Sequence, residues 1–246
     1  MLTTILLMSL SSPPAIDQIE DAHGADELRA HPAIRTRIEL DFGGKPRVHG
    51  LLFASSDGGR TRIEFDSGKI IVFDGQTAWL SPADASAQGA RFDALTWSYF
   101  MLAAFKLKDP GARWAEVGKR PWKDGAELSA AKLSFGQGVG DAPDDWYVVY
   151  ADPESHALLG LAYIVTFGGR SQAQAEAEPH AIAYERYADV EGVKLPSHWS
   201  FWLWSEEKGV FGEPLGRARL EGFELMKTVP DTLFRRPAGA VEVPAP

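Results

Sequence analysis

From Ile34 to Phe42 the chain alternates without interruption: Ile34, Thr36, Ile38, Leu40 and Phe42 on one parity, Arg35, Arg37, Glu39 and Asp41 on the other. A period of two over this length specifies a β-strand with one buried and one wet face. Turn residues then recur at short intervals, as Gly43-Gly44, Asp57-Gly58-Gly59, Ser67-Gly68 and Asp74-Gly75, each between runs of strand character. Asp-Gly between Ile70–Phe73 and Gln76–Leu80 is a strong hairpin signal. The first third therefore reads as a meander of about five strands.

Two helices interrupt this pattern. Ile16, Ile19 and Ala22 recur at helical spacing, with Asp17, Glu20 and Asp21 on the wet side and Gly24 as a stop. Between Ala94 and Leu107 the apolar residues cover most of a helical circumference, so this helix must be covered on more than one side, and Asp109-Pro110-Gly111 ends it. Strand character resumes at 113–117, 126–135, 145–151, 157–167, 180–188, 193–203 and 216–226. The run 157–167 is apolar on both faces, with Leu159, Leu161, Tyr163, Val165 and Phe167 on one and Leu158, Ala162 and Ile164 on the other, which places it inside the sheet. Residues 168–179 lack a clear period and read as a long mobile loop. The expected class is α+β: a large curved antiparallel β-sheet, an incompletely closed barrel, wrapped around one or two helices.

Composition narrows the chemistry. The 246 residues fit one domain with a sizeable core, and the formal charge of −9 without clustered Lys or Arg excludes nucleic acid as a partner. No cysteine is present, which removes disulfides, thiolate nucleophiles and cysteine metal sites. Leu2–Leu10 followed by Ser11, Ser12, Pro13, Pro14 and Ala15 reads as a signal peptide over 1–15, too short for stable membrane insertion, so a periplasmic or otherwise exported protein is expected. Residues 16–237 are then the domain, and 238–246 a flexible tail.

No reactive constellation stands out. Gly136, Gly138 and Gly140 are followed by no helix and read as a hairpin loop; GxSxG, Walker lysine and HExxH motifs are absent. The six histidines lack ligand spacing, and the pairs Asp144-Asp145 and Glu206-Glu207 read as solvated turn charge. His198 is the most interesting histidine because Trp199, Phe201, Trp202 and Trp204 surround it in sequence. On a strand, Trp199, Phe201 and Leu203 face one way and Trp202 and Trp204 the other. Two readings stay open: one set packs the core and the other covers an edge, or one set lines an apolar cavity. No cofactor or metal is expected.

The segments AHGADELRAHPAIRTRIELDF (22–42), FDGQTAWL (73–80), AAFKLKDPGARW (103–114), YADPESHALLGLAYIVTF (150–167), YADVEGVKLPSHWSF (187–201) and VPDTLFRRP (229–237) together resemble the bacterial LolA-like group. That group includes periplasmic lipoprotein carriers, LppX-like lipid binders and uncharacterised relatives, and the resemblance is closest to the last. It implies an unclosed barrel around helices with an apolar cavity for acyl chains, and nominates Trp79, Trp97, Phe100, Met101, Phe105, Tyr163, Trp199 and Phe201 as its lining. No residue is matched to the carriers' characteristic cavity arginine. The implied function is non-enzymatic binding or carriage of a lipid or other apolar small molecule, with an envelope protein as a further partner. A hydrolase or isomerase using His198 or His156 in the cavity, and a non-catalytic envelope interaction module, are the alternatives.

Overall fold

The computed structural model describes residues 14–136 and 140–246. The apolar run at 2–10 and Gly138 of the glycine string lie outside them, while Pro14 and Ala15 open helix α1 (Pro14–Ala22). Proline suits this first turn because its missing N–H would be unpaired there in any case. A second short helix, α2 (Ala25–Arg29), follows Gly24, whose φ of 76° makes the sharp corner between the two.

The alternating run is strand β1 (Ala33–Phe42), and with β2 (Lys45–Ser55), β3 (Thr61–Phe65), β4 (Ile70–Phe73) and β5 (Ala78–Ser81) it forms the expected five-strand meander. A second meander comprises β6 (Ala112–Pro121), β7 (Glu127–Phe135), β8 (Trp146–Ala151), β9 (Leu158–Tyr163), β10 (His180–Val190), β11 (Val193–Ser205) and β12 (Gly209–Met226). The two are joined edge to edge where β1 pairs antiparallel with β12, from Ala33 opposite Met226 to Phe42 opposite Gly216. A thirteenth strand, β13 (Val241–Val243), returns to pair with β5, so part of the segment expected as a flexible tail is a sheet edge. One open antiparallel sheet results, in the order β13-β5-β4-β3-β2-β1-β12-β11-β10-β9-β8-β7-β6. It is curved and unclosed, an α+β arrangement as expected.

Between the meanders runs α3 (Ala90–Met101), followed by a 3₁₀ turn over Ala103–Phe105. It begins four residues before the expected Ala94 and ends well before Leu107. The polar residues in its first turn obscured the start, and both are paired: Arg91 bonds Asp141, and Asp93 bonds Arg47 of β2. Residues 168–179 are not all loop, for Gln172–Glu176 form α4. A capping box fixes its start, with the Ser171 hydroxyl accepting from the Gln174 N–H and the Gln174 side chain accepting from the Ser171 N–H at 3.0 Å.

The main core lies on the concave side. Ile16, Ile19 and Leu28 from α1 and α2, and Trp97, Phe100 and Met101 from α3, pack there against Ile34, Ile38, Leu52, Leu161, Trp199 and Phe201 of the strands. A second cluster covers the opposite face of β8–β11, where Trp146, Tyr150, Ala162, Ala181 and Trp204 meet Trp122 from the turn after β6 and Ala175 of α4. Both faces of β9 are thus buried, which explains its uninterrupted apolar run. Its two faces differ from the expected assignment. Leu161 and Tyr163 share the concave side with Leu158, because the β8–β9 register shifts beside Ala151, and the strand stops at Tyr163. Gly160 is required here: a Cβ would lie 2.5 Å from the Trp122 ring, which stacks on Tyr150 at 4.3 Å between centroids.

Candidate functional site

On α3 the residues Phe92, Leu95, Thr96 and Tyr99 follow the i, i+3, i+4, i+7 spacing of one helical face, and all four remain half-buried. They form one wall of a groove of about 560 Å³ that opens at the end of the concave core. Its floor is the aromatic cluster Trp97, Phe100, Tyr163 and Phe201, with ring centroids 5.1 Å apart for Phe100–Tyr163 and 6.1 Å for Trp97–Phe201. Phe42, partly exposed at the mouth, tilts onto Phe201 at 5.4 Å, and its ring occupies the space left by Gly216, the β12 residue opposite it.

The far wall follows from register. Tyr147 of β8, Tyr163 of β9 and His180 of β10 are direct cross-strand partners, so their side chains form a row on the concave face. Asp145 lies two residues before Tyr147, on the same parity at the mouth of β8, and faces the groove with them. Its Oδ1 accepts hydrogen bonds from the Thr166 N–H (2.7 Å) and hydroxyl (2.8 Å). Burial outweighs those bonds and pushes the Asp145 carboxyl up to about 6, with Asp144 adding in the same direction. Burial also raises the phenols of Tyr99, Tyr147 and Tyr163 above their ordinary range and lowers the His180 imidazole, so all four are neutral at pH 7.

The remaining charges of the lining are in pairs. Arg47 donates to Asp93 Oδ1 at 3.0 Å, and the Trp97 indole N–H donates to the same oxygen at 2.9 Å, which ties the rim of β2 to α3 and the cluster floor. Lys106 pairs with Asp109 and donates to the Asp57 carbonyl at 2.6 Å, and Asp141 is held by Arg91.

Of the eight residues nominated from sequence, Trp97, Phe100, Tyr163 and Phe201 line this groove. Met101 and Trp199 are sealed within the core, the Trp199 indole donating to the Pro196 carbonyl at 2.9 Å. Phe105 packs edge-on against the buried His23 and borders a separate, more polar hollow with Glu20, Leu28 and Lys108. Trp79 is on the outer side of β5, where its indole donates to Asp74 at 2.7 Å and Arg236 lies over its ring. His198 and His156 are outside the groove: His198 lies in a shallow groove bordered by Trp202 and Arg217, and His156 sits in the β8–β9 turn with φ 57°. The groove histidine is His180, whose ring has no hydrogen-bonded carboxylate or hydroxyl among the described residues. Asp145, Tyr147 and His180 were missed from sequence because the register that aligns them is a property of the assembled sheet. The parity of Asp145 with Tyr147 was the available clue.

The chain matches no protein-family model and no curated protein, and its likeness to known proteins is one of structure. A DUF1329 family protein from Desulfovibrio piger superposes with a TM-score of 0.55 at 12% identity, over 91% of this chain and 98% of the other. A LolA superfamily protein from Nitrosomonas europaea gives 0.55 at 10% identity, over 92% and 99%. The fold is LolA-like. A third structure with this LolA-like arrangement, an outer membrane lipoprotein-sorting protein domain from Vibrio parahaemolyticus, gives 0.53 at 9% identity, over 88% and 97%. Identities this low carry the fold alone.

Proposed function

We propose that the protein is a non-enzymatic binder or carrier of a lipid or other apolar small molecule, held in the groove between α3 and strands β8–β11, with the periplasm or another exported location as its setting. The observation that carries this reading is an apolar core left open at one end. The aromatic cluster that fills the sheet elsewhere continues into a cavity of about 560 Å³, within the size range of small-molecule sites. The alternative of a hydrolase or isomerase using His198 or His156 is not favoured, because neither histidine lies in the groove, and His180, which does, has no orienting carboxylate or hydroxyl among the described residues. One structural neighbour, described as an outer membrane lipoprotein-sorting protein domain, is consistent with this reading.

Protein purified without detergent is expected to release a stoichiometric apolar molecule on solvent extraction, read by native mass spectrometry before and after extraction. It is also expected to bind a fluorescent alkyl probe, and Thr96→Trp, which fills the groove from α3, should weaken that probe at least about ten-fold. A chain that carries no ligand and binds no alkyl probe would sink the proposal.

A further inference from the structure

The groove is apolar along its floor and polar at one wall, so an occupant must match both. Its two lining cations are already neutralised, Arg47 by Asp93 and Lys106 by Asp109. One of its three lining carboxylates is held by an arginine, Asp141 by Arg91, and another by a lysine, Asp109 by Lys106. Asp145 alone has no cation, and its Oδ2 has no hydrogen-bond partner among the described residues, while Thr166 occupies Oδ1. Beside it stand the rings of Tyr147 and Tyr163, 6.2 Å apart, whose faces attract positive charge. An anionic headgroup would meet an unpaired carboxylate and, among the described residues, no free cation. A donor headgroup would meet a free acceptor oxygen and π-faces, with its alkyl chain along Phe100, Trp97 and Phe201.

Resting on the carrier reading, we infer that the groove selects single-chain amphiphiles whose headgroup is a hydrogen-bond-donating cation, an alkylammonium, and rejects alkyl carboxylates, with Asp145 as the headgroup acceptor. This assigns Asp145 a ligand-binding role and makes the site the opposite of a fatty-acid pocket, in which a cation would wait for the carboxylate. A neutral alcohol of the same chain length can donate to the Asp145 carboxylate but lacks the attraction of opposite charges, so it falls between the two.

The test is competition of dodecylamine, dodecanol and dodecanoate against a fluorescent alkyl probe at pH 7.5, each below its critical micelle concentration. The amine is expected to bind at least about ten-fold tighter than the carboxylate, with the alcohol between them. Asp145→Asn should bring the two within about three-fold, with the alcohol weakened less than the amine. The chain's net charge of −9 favours any cation, so Asp144→Asn, which removes the same charge from the exposed neighbour, serves as the control and should keep the wild-type preference. Equal binding of amine and carboxylate by the wild-type protein, or an equal loss of preference in both variants, overturns the inference and leaves the carrier reading standing. Failure of all three alkyl compounds to bind overturns both. The wild-type comparison stands without any variant, and circular dichroism of the variants separates lost preference from lost fold.

Discussion

Asp145 shows how a single position can be read wrongly and then correctly. In sequence it is half of an acidic pair beside Pro143, and solvated turn charge is the ordinary explanation. Only the sheet brings Thr166, fixed just past the end of β9, within hydrogen-bond distance of it. Its carboxyl holds a proton up to about pH 6 in the folded protein and only to about pH 4 when unfolded. The native state therefore binds more protons than the unfolded state between those values, and this residue's contribution to stability falls as pH rises through that window. Asparagine keeps an acceptor for Thr166 and removes the charge. Asp145→Asn should be more stable than wild type by about 1–2 kcal/mol at pH 7.5, with the difference vanishing near pH 4. His23 and His180, which burial holds neutral, contribute a slope of opposite sign below about pH 6.5 in both proteins, so the measurement is the difference between their urea midpoints across pH. A difference independent of pH would refute the assignment. The same limit applied to the aromatic candidates: Met101 and Trp199 are as apolar as Phe100 and Phe201, and no property of the residue alone distinguishes a sealed ring from one at an open cavity.

At the scale of elements, what was legible followed from periodicity and what was missed followed from interruptions of it. β1 is visible because its alternation is strict, and the five-strand meander because each turn carries glycine. β12 begins at Gly209, seven residues before its expected start, because Gly209, Gly212 and Pro214 break the pattern that the strand nevertheless continues. α4 was hidden inside a polar stretch, yet its capping box, Ser171 with Gln174 three residues on, was present to be read. That cap holds Ala175 fully buried against the outer cluster and brings Glu176 to the Trp146 indole, which donates to it at 3.0 Å. Ser171→Ala is expected to destabilise the protein by about 1 kcal/mol and to raise amide exchange locally over 171–177, without moving the affinity for alkyl probes. A loss of probe affinity would mean that α4 acts on the groove.

For the molecule as a whole, the long-range joins were the part sequence could not supply. Nothing in the local pattern of β1 names β12, some 180 residues later, as its partner, and nothing in β5 names β13. The second of these joins protects an edge. β13 pairs with β5 from Val241 to Val243, Val243 packs into a small core with Ile71, Leu80 and Ala94, and Arg236 holds the approach by donating to the Ala240 carbonyl at 2.7 Å. A chain ended at Gly239 should lose about 1–2 kcal/mol, which for this size lowers Tm by several degrees, and should associate in a concentration-dependent way through the bared strand. Differential scanning calorimetry and light scattering read both, and an unchanged Tm with a monodisperse sample would refute it. The two cores on opposite sides of β8–β11 have a mechanical meaning of their own. With Trp122 wedged against Gly160 from outside and the aromatic floor seated from inside, this stretch of sheet is clamped like a beam between two plates and has no slack to yield. The facing wall is held as well, since α3 is tied to β2 through Asp93 and Arg47 and to β3 through Ser98 and Thr61, so a guest is received into room that already exists, as in a socket rather than a jaw.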